Sequence, residues 1–227
     1  MIIGNGLIAK SFARQFGDDP DVIIFASGVS NSREIHGEAF LRERQMLSEA
    51  LSHNKMLVYF STCSVGDPEL VATPYVMNKI EMETLVRTAK DFSIFRLPQV
   101  VGKTPNPNTL TNYLYQKINS GEHFQVWVHA TRNLIDVEDV AAIATHLIRS
   151  PFANGVTANI ACPYSISILQ LVGIFERVLG KKANYTIVEA GGTYAIDASL
   201  ALRVAREIGI DFDDSYIEKL IRKYYGH

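Results

Sequence analysis

Met1-Ile2-Ile3-Gly4-Asn5-Gly6-Leu7-Ile8-Ala9 opens the chain, and its reading decides the fold. A very short apolar strand over residues 1–3 meets a two-glycine turn. From there Leu7, Ile8, Phe12 and Phe16 recur at helical spacing up to a natural stop at Gly17. Strand, glycine turn and helix are the context that a dinucleotide-binding fingerprint requires. In that reading Gly4 permits the tight turn, Gly6 lets backbone approach a pyrophosphate, and the small Ala9 allows close helix–strand packing. The helix start, over Asn5, Gly6, Leu7 and Ile8, offers unpaired N–H groups and a positive dipole end to the phosphates. Alone, the motif is also compatible with a mere tight turn. Its position at the first strand of an alternating chain is what favours function.

Working outward, apolar runs of strand length alternate with helical periodicity. Strands are expected at residues 22–26, closed by Ser27-Gly28, and at 56–60, 92–97, 124–128, 134–135, 157–161 and 185–188. Helices are expected at 38–52, with Phe40, Leu41, Met46, Leu47 and Leu51 as the apolar side, and at 74–88, 110–119 and 138–148. Pro74 suits the first turn of its helix. Ser167 and Gln170 form a capping box for another that ends near Gly180. Two last helices begin after Asp197 and Asp214, both read as N-caps. Residues 98–108 read as a proline- and asparagine-rich loop, and Asp18 and Asp19 as solvated turn residues.

The fold class that follows is α/β: a Rossmann-like parallel sheet with flanking helices, plus a small C-terminal α/β lobe. The expected division is a core over residues 1–163, with 103–130 contributing to the substrate side, and a small lobe over 164–227.

Composition narrows the function classes. The 227 residues are 47% hydrophobic, ample for a sizeable core, and no stretch has the length of a membrane span. A formal charge of −2 with well-mixed signs lacks the basic stripe of a nucleic-acid binder. Cys63 and Cys162 lie far apart and the six histidines form no ligand pair, so no metal is expected. No basic-then-apolar leader follows Met1, and a cytoplasmic location is the expectation.

Candidate chemistry lies at Tyr75 and Lys79, one helical turn apart and a short loop beyond a strand that ends in Ser61-Thr62. Residues at i and i+4 share a helix face. A cation held there is expected to lower the phenol pKa, so that Tyr75 gives a proton to a carbonyl oxygen, or takes one from an alcohol, as hydride moves at carbon. Thr62 can hydrogen-bond the same oxygen. The spacing alone does not decide, because Tyr113 and Lys117 repeat it. Tyr75 differs in following a hydroxyl-rich strand end, on the side where open α/β sheets bind ligands.

These residues, in this order, resemble the extended short-chain dehydrogenase/reductase family, the NAD-dependent epimerases and dehydratases of nucleotide sugars. Ser61-Thr62-Cys63-Ser64-Val65 is similar to the family's hydroxyl-bearing strand end, and Tyr75-Val76-Met77-Asn78-Lys79 to its catalytic helix start. Phe95-Arg96-Leu97-Pro98-Gln99-Val100-Val101-Gly102 resembles the segment lining the nicotinamide pocket. Arg132-Asn133-Leu134-Ile135-Asp136-Val137-Glu138-Asp139-Val140 resembles the run near the sugar-nucleotide phosphates.

The resemblance implies Thr62, Tyr75 and Lys79 as the catalytic group and NAD or NADP as cofactor. The cofactor would be held by Gly4, Asn5, Gly6, Leu7, Ile8, Ala26, Ser27, Gly28, Ser61, Tyr75, Lys79, Pro98, Val100 and Val101. It further implies Cys63, Ser64, Asn108 and Arg132 on the substrate side, a nucleotide-sugar substrate, and a homodimer through a four-helix bundle. Arg132 and Asn108 also admit bland roles in a surface salt bridge and a turn.

Two departures matter. Two strands with their helices, expected between the first helix and residues 22–26, are missing, and with them the pocket for adenine and its ribose. Cys63 and Ser64 stand where the family's dehydratases carry an acid pair, which disfavours dehydration. The leading expectation is therefore reduction of a keto group on a nucleotide-activated sugar, in polysaccharide or deoxysugar biosynthesis. An epimerase, a reductase of other carbonyl compounds, and a non-catalytic nucleotide-sugar sensor remain the alternatives.

Overall fold

In a computed structural model describing residues 1–226, the glycine turn joins β1 (Ile2–Ile3) to α1 (Leu7–Phe16). There follow β2 (Val22–Phe25), α2 (Gly37–Leu51), β3 (Met56–Thr62), a 3-10 turn (Cys63–Gly66), α3 (Pro74–Val86), β4 (Phe92–Leu97), β5 (Gln99–Val101) and α4 (Leu110–Ser120). The chain continues through β6 (Phe124–Trp127), β7 (Thr131–Arg132), β8 (Leu134–Asp136), α5 (Val137–Arg149), β9 (Val156–Asn159) and β10 (Ile166–Ser167). It ends with α6 (Ile168–Leu179), β11 (Tyr185–Val188), α7 (Ser199–Glu207) and α8 (Tyr216–Tyr225).

The main sheet is parallel, in the order β1-β2-β3-β4-β9. Its inner strands are mostly apolar because helices cover both faces, with Ser61-Thr62 at the carboxyl end of β3 and Arg96 near that of β4 as the polar exceptions toward the site. On one face α1 and α5 bring Phe12, Phe16, Val140 and Ile143 onto Ile24, Val58 and Phe95, and α7 adds Ala201 and Val204 to the same core. On the other, Leu47 of α2 and Met82 and Val86 of α3 pack on Ile23, Phe25, Leu57 and Tyr59. A second core lies among α4, α6, α8 and the parallel pair β6–β11, around Phe124, Val126, Leu171, Phe175 and Tyr225. β1 is the outer edge of the sheet and pairs only with β2 among the described residues, so the two expected strands beyond it are absent.

Several local expectations need correcting. The 98–108 segment contains β5, which pairs with β8, and β7 pairs with β10; such two- and three-residue strands leave no periodicity to read. Asp197 and Asp214 are not N-caps, since Ala198 and Ser215 hold those positions. Asp197 instead accepts from Ser199 N, and Asp213 from Ser215 N, in local turns just ahead of each helix. Asp19 is not a solvated turn residue: it accepts from Asp21 N and Val22 N and pairs with Arg149 at 2.6 Å, tying the turn to the end of α5. On α2, Phe40, Met46, Leu47 and Leu51 pack inward as expected, but Leu41 is 55% exposed and Glu43 is fully buried. No helix among the described residues is long and apolar enough to cross a membrane, and none of their acidic, histidine or cysteine side chains form a metal-binding group.

Candidate active site

The carboxyl ends of β1 to β4 open on one cavity of about 570 Å³, within the ~300–1,000 Å³ usual for ligand clefts. Each strand delivers part of its wall. Asn5, Gly6, Leu7 and Ile8 come from the turn after β1, Ala26, Ser27 and Gly28 from the end of β2, Ser61, Thr62 and Ser64 from β3 and its turn, and Pro98 and Val100 from beyond β4. Tyr75 and Lys79 of α3 face the same space, and Asn108 and Arg132 line its far side. The second Tyr–Lys pair, Tyr113 and Lys117, lies outside it, with Lys117 bonded to Glu122.

The two glycines of the opening turn do different work. Gly4 stands at φ +125°, and a Cβ there would lie 2.4 Å from Ala26 O, so it lets β1 close against the end of β2 behind the cavity wall. Gly6 is the N-cap of α1 and supplies no side-chain cap; a Cβ on it would meet nothing within 4 Å. The first N–H groups of α1 are therefore presented to the cavity without competing side chains, an arrangement that fits a pyrophosphate.

Thr73 and Pro74 set the start of α3: the Thr73 Oγ1 accepts from Val76 N, and Pro74 occupies the first turn. A bidentate bond from Arg96 to Glu83, at 2.8 and 2.7 Å, fastens the helix to β4. Burial pushes the Tyr75 phenol up to about 12; the neighbouring Thr62 hydroxyl works against that rise, and Glu43 adds to it. This corrects the expectation that Lys79 lowers the phenol. Lys79 Nζ stands 5.9 Å from the Tyr75 ring centroid and is bonded elsewhere, to Glu43 Oε1 at 2.9 Å and Tyr59 OH at 3.2 Å.

Glu43 is the residue that sequence reasoning missed. Its buried carboxylate accepts four hydrogen bonds: Lys79 Nζ and Tyr59 OH (2.7 Å) on Oε1, Val29 N (2.9 Å) and Asn78 Nδ2 (3.0 Å) on Oε2. Burial acts to raise its pKa, but the Lys79 charge and these bonds prevail and hold it below the usual carboxylate range. Gly28 makes the joint possible, since a Cβ there would lie 2.6 Å from both Glu43 Oε1 and Lys79 Nζ. Also unforeseen, Ser30, Ser32 and Arg42 line the cavity beyond the β2 end, and Tyr194 enters it from the C-terminal segment. The serine-rich run after β2 was a legible signal for the former; Tyr194 had none.

Cys63 and Val101 do not line the cavity. The Cys63 thiol turns inward to donate to Arg96 O at 3.3 Å, and burial pushes it up to about 12, which removes it as a substrate contact or nucleophile. Val101 is held inside by its pairing with Asp136. Asn133 pins the neighbouring chain, its Nδ2 donating to Cys162 O and Tyr164 O while its Oδ1 accepts from Cys162 N.

Residues 6–161 match the model of the NAD dependent epimerase/dehydratase family. Among curated proteins no relative matches the sequence. Solved structures with the same fold include the UDP-glucuronic acid 4-epimerase of Bacillus cereus, with a TM-score of 0.75 at 15% identity over 99% of this chain and 88% of that one. The UDP-N-acetylglucosamine 4-epimerase of Methanobrevibacter ruminantium M1 gives 0.74 at 17% identity over 99% and 81%. The UDP-glucose-4-epimerase of Stenotrophomonas maltophila gives 0.71 at 20% over 98% and 81%.

Proposed function

We propose that this chain, which belongs to the NAD-dependent epimerase/dehydratase family, is an NAD(P)-dependent oxidoreductase that reduces a keto group on a nucleotide-activated sugar. The observation that carries this reading is the Tyr75 phenol, held protonated by burial, in one cavity with Lys79 and the uncapped start of α1. A bound nicotinamide dinucleotide supplies the hydride that the carbonyl carbon receives. Tyr75 gives its proton to the carbonyl oxygen, which Thr62 orients, and the product is the alcohol. The α1 N–H groups hold the pyrophosphate, and Pro98 and Val100 line the nicotinamide side. Arg132 and Asn108 meet the diphosphate of the substrate, and the lobe built from α4, α6, α8 and the β6–β11 pair recognises the sugar nucleotide.

Reduction is preferred to epimerisation because β1 is the sheet edge. An epimerase must retain its cofactor through oxidation and re-reduction, whereas a reductase exchanges it at each turnover. The reading of a 4-epimerase is favoured by one observation, the three nucleotide-sugar 4-epimerases that share the fold. A non-catalytic sensor would have no use for a buried proton donor. The test is to mix the protein with NADH or NADPH and a panel of keto-sugar nucleotides and follow cofactor absorbance. Turnover is expected, and Tyr75→Phe should lower it by ~10²–10⁴-fold. Nucleotide-sugar epimerisation without any net consumption of reduced cofactor would overturn the choice.

A further inference from the structure

We propose that Glu43 is the positioning residue of this centre: it holds the Lys79 ammonium beside the Gly28-Val29 turn and balances its charge, leaving Tyr75 to act as a proton donor. The inference rests on the oxidoreductase reading above and narrows it to the reductive direction. Its basis is geometric. A carboxylate carrying four donors in a fully buried position has no lone pairs left for a ligand, so Glu43 holds other groups in place and does not itself meet substrate. Those donors come from three elements that must be in register for the site to exist: the turn after β2 (Val29), β3 (Tyr59) and α3 (Asn78, Lys79). Lys79 spends two donor hydrogens on Glu43 and Tyr59 and keeps the third for the cavity it lines.

The charges around the phenol are few. From α2 comes Glu43, from β3 Tyr59, from the 3-10 turn Cys63, from the C-terminal segment Tyr194, and from its own helix Lys79. Asp67 and Arg132 act on Tyr194, and Glu83 acts on Tyr59 from behind, itself bonded to Arg96. Lys79 is the cation nearest the phenol in this set, and its formal charge is met by Glu43 at 2.9 Å. Removing the negative charge while keeping the shape would leave an unbalanced ammonium beside the phenol, which favours the phenolate.

The experiment is an ultraviolet titration of tyrosinate in the cofactor-free protein, read as the difference between each background and the same background carrying Tyr75→Phe. Wild type should show no Tyr75 ionisation until strongly alkaline pH. In Glu43→Gln the midpoint should fall by about one pH unit or more, and the alkaline limb of the pH–rate profile should fall with it. A structural role alone would lower stability or rate evenly across pH and leave the midpoint in place; that result overturns the proposal. Should Glu43→Gln fail to fold, the wild-type difference still decides, because ionisation near neutral pH would mean that the ammonium is not balanced. The titration needs no turnover, so a failure of the oxidoreductase reading registers separately, as absent hydride transfer in a protein whose tyrosine titrates as expected.

Discussion

The two glycines of the opening turn predict opposite behaviour on the same substitution. Gly4→Ala puts a Cβ 2.4 Å from Ala26 O and 2.7 Å from Ala26 C at φ +125°, where ordinary contact begins at 3.4 Å. The overlap is with backbone, which cannot rotate aside. Strained dihedrals cost about 1–3 kcal/mol and overpacking about as much again, so a loss of about 2–6 kcal/mol is expected. That is a large share of the ~5–15 kcal/mol that stabilises a typical domain. Gly6→Ala meets nothing within 4 Å, and its φ of −76° suits any residue, so its cost is limited to a poorer N-cap, under about 1 kcal/mol. Its methyl, however, stands where the first α1 N–H groups open to the cavity. Urea denaturation followed by circular dichroism measures the first effect, and calorimetric titration with NADH the second. Gly4→Ala should lose stability, while Gly6→Ala should keep it and bind at least about tenfold more weakly, a loss of ~1.4 kcal/mol. If Gly6→Ala binds NADH as wild type does, the pyrophosphate does not sit on α1 and the reasoning fails.

Three further outcomes are expected. Cys63 and Cys162, both buried and pushed up to about 12 and about 11 by that burial, should resist a thiol reagent near neutral pH and react only on unfolding; fast native labelling of either would contradict the inward orientation. Asn133→Ala frees Cys162 N and the carbonyls of Cys162 and Tyr164, and should cost about 2–4 kcal/mol by urea denaturation, against under 1 kcal/mol if those bonds are incidental. The exposed Leu41, Met77 and Ile80 on α2 and α3 form the surface through which a homodimer is proposed. Light scattering should give a dimer for wild type and a monomer for the pair Met77→Glu and Ile80→Glu, while a wild-type monomer at micromolar concentration would remove the idea.

What the residues alone determined was the order of the longer elements and the end of the sheet on which the cavity opens. Periodicity is a local property, and it sufficed for α1, β2, β3, β4 and β11, whose side chains alternate or recur strongly enough to read. The Tyr75–Lys79 spacing and the glycine turn were equally local, and both lie on the cavity wall apart from Gly4, which acts behind it. The tertiary structure decided what each charge is bonded to. Glu43 reads in sequence as one more polar helix residue, yet packing against Val29, Tyr59, Asn78 and Lys79 makes it the counter-charge of Lys79, while burial first and Glu43 after it raise the phenol that Lys79 was expected to lower. The reason is physical: a side chain's pKa and orientation depend on desolvation and on partners 14 to 36 residues away along the chain, which no one-dimensional pattern records.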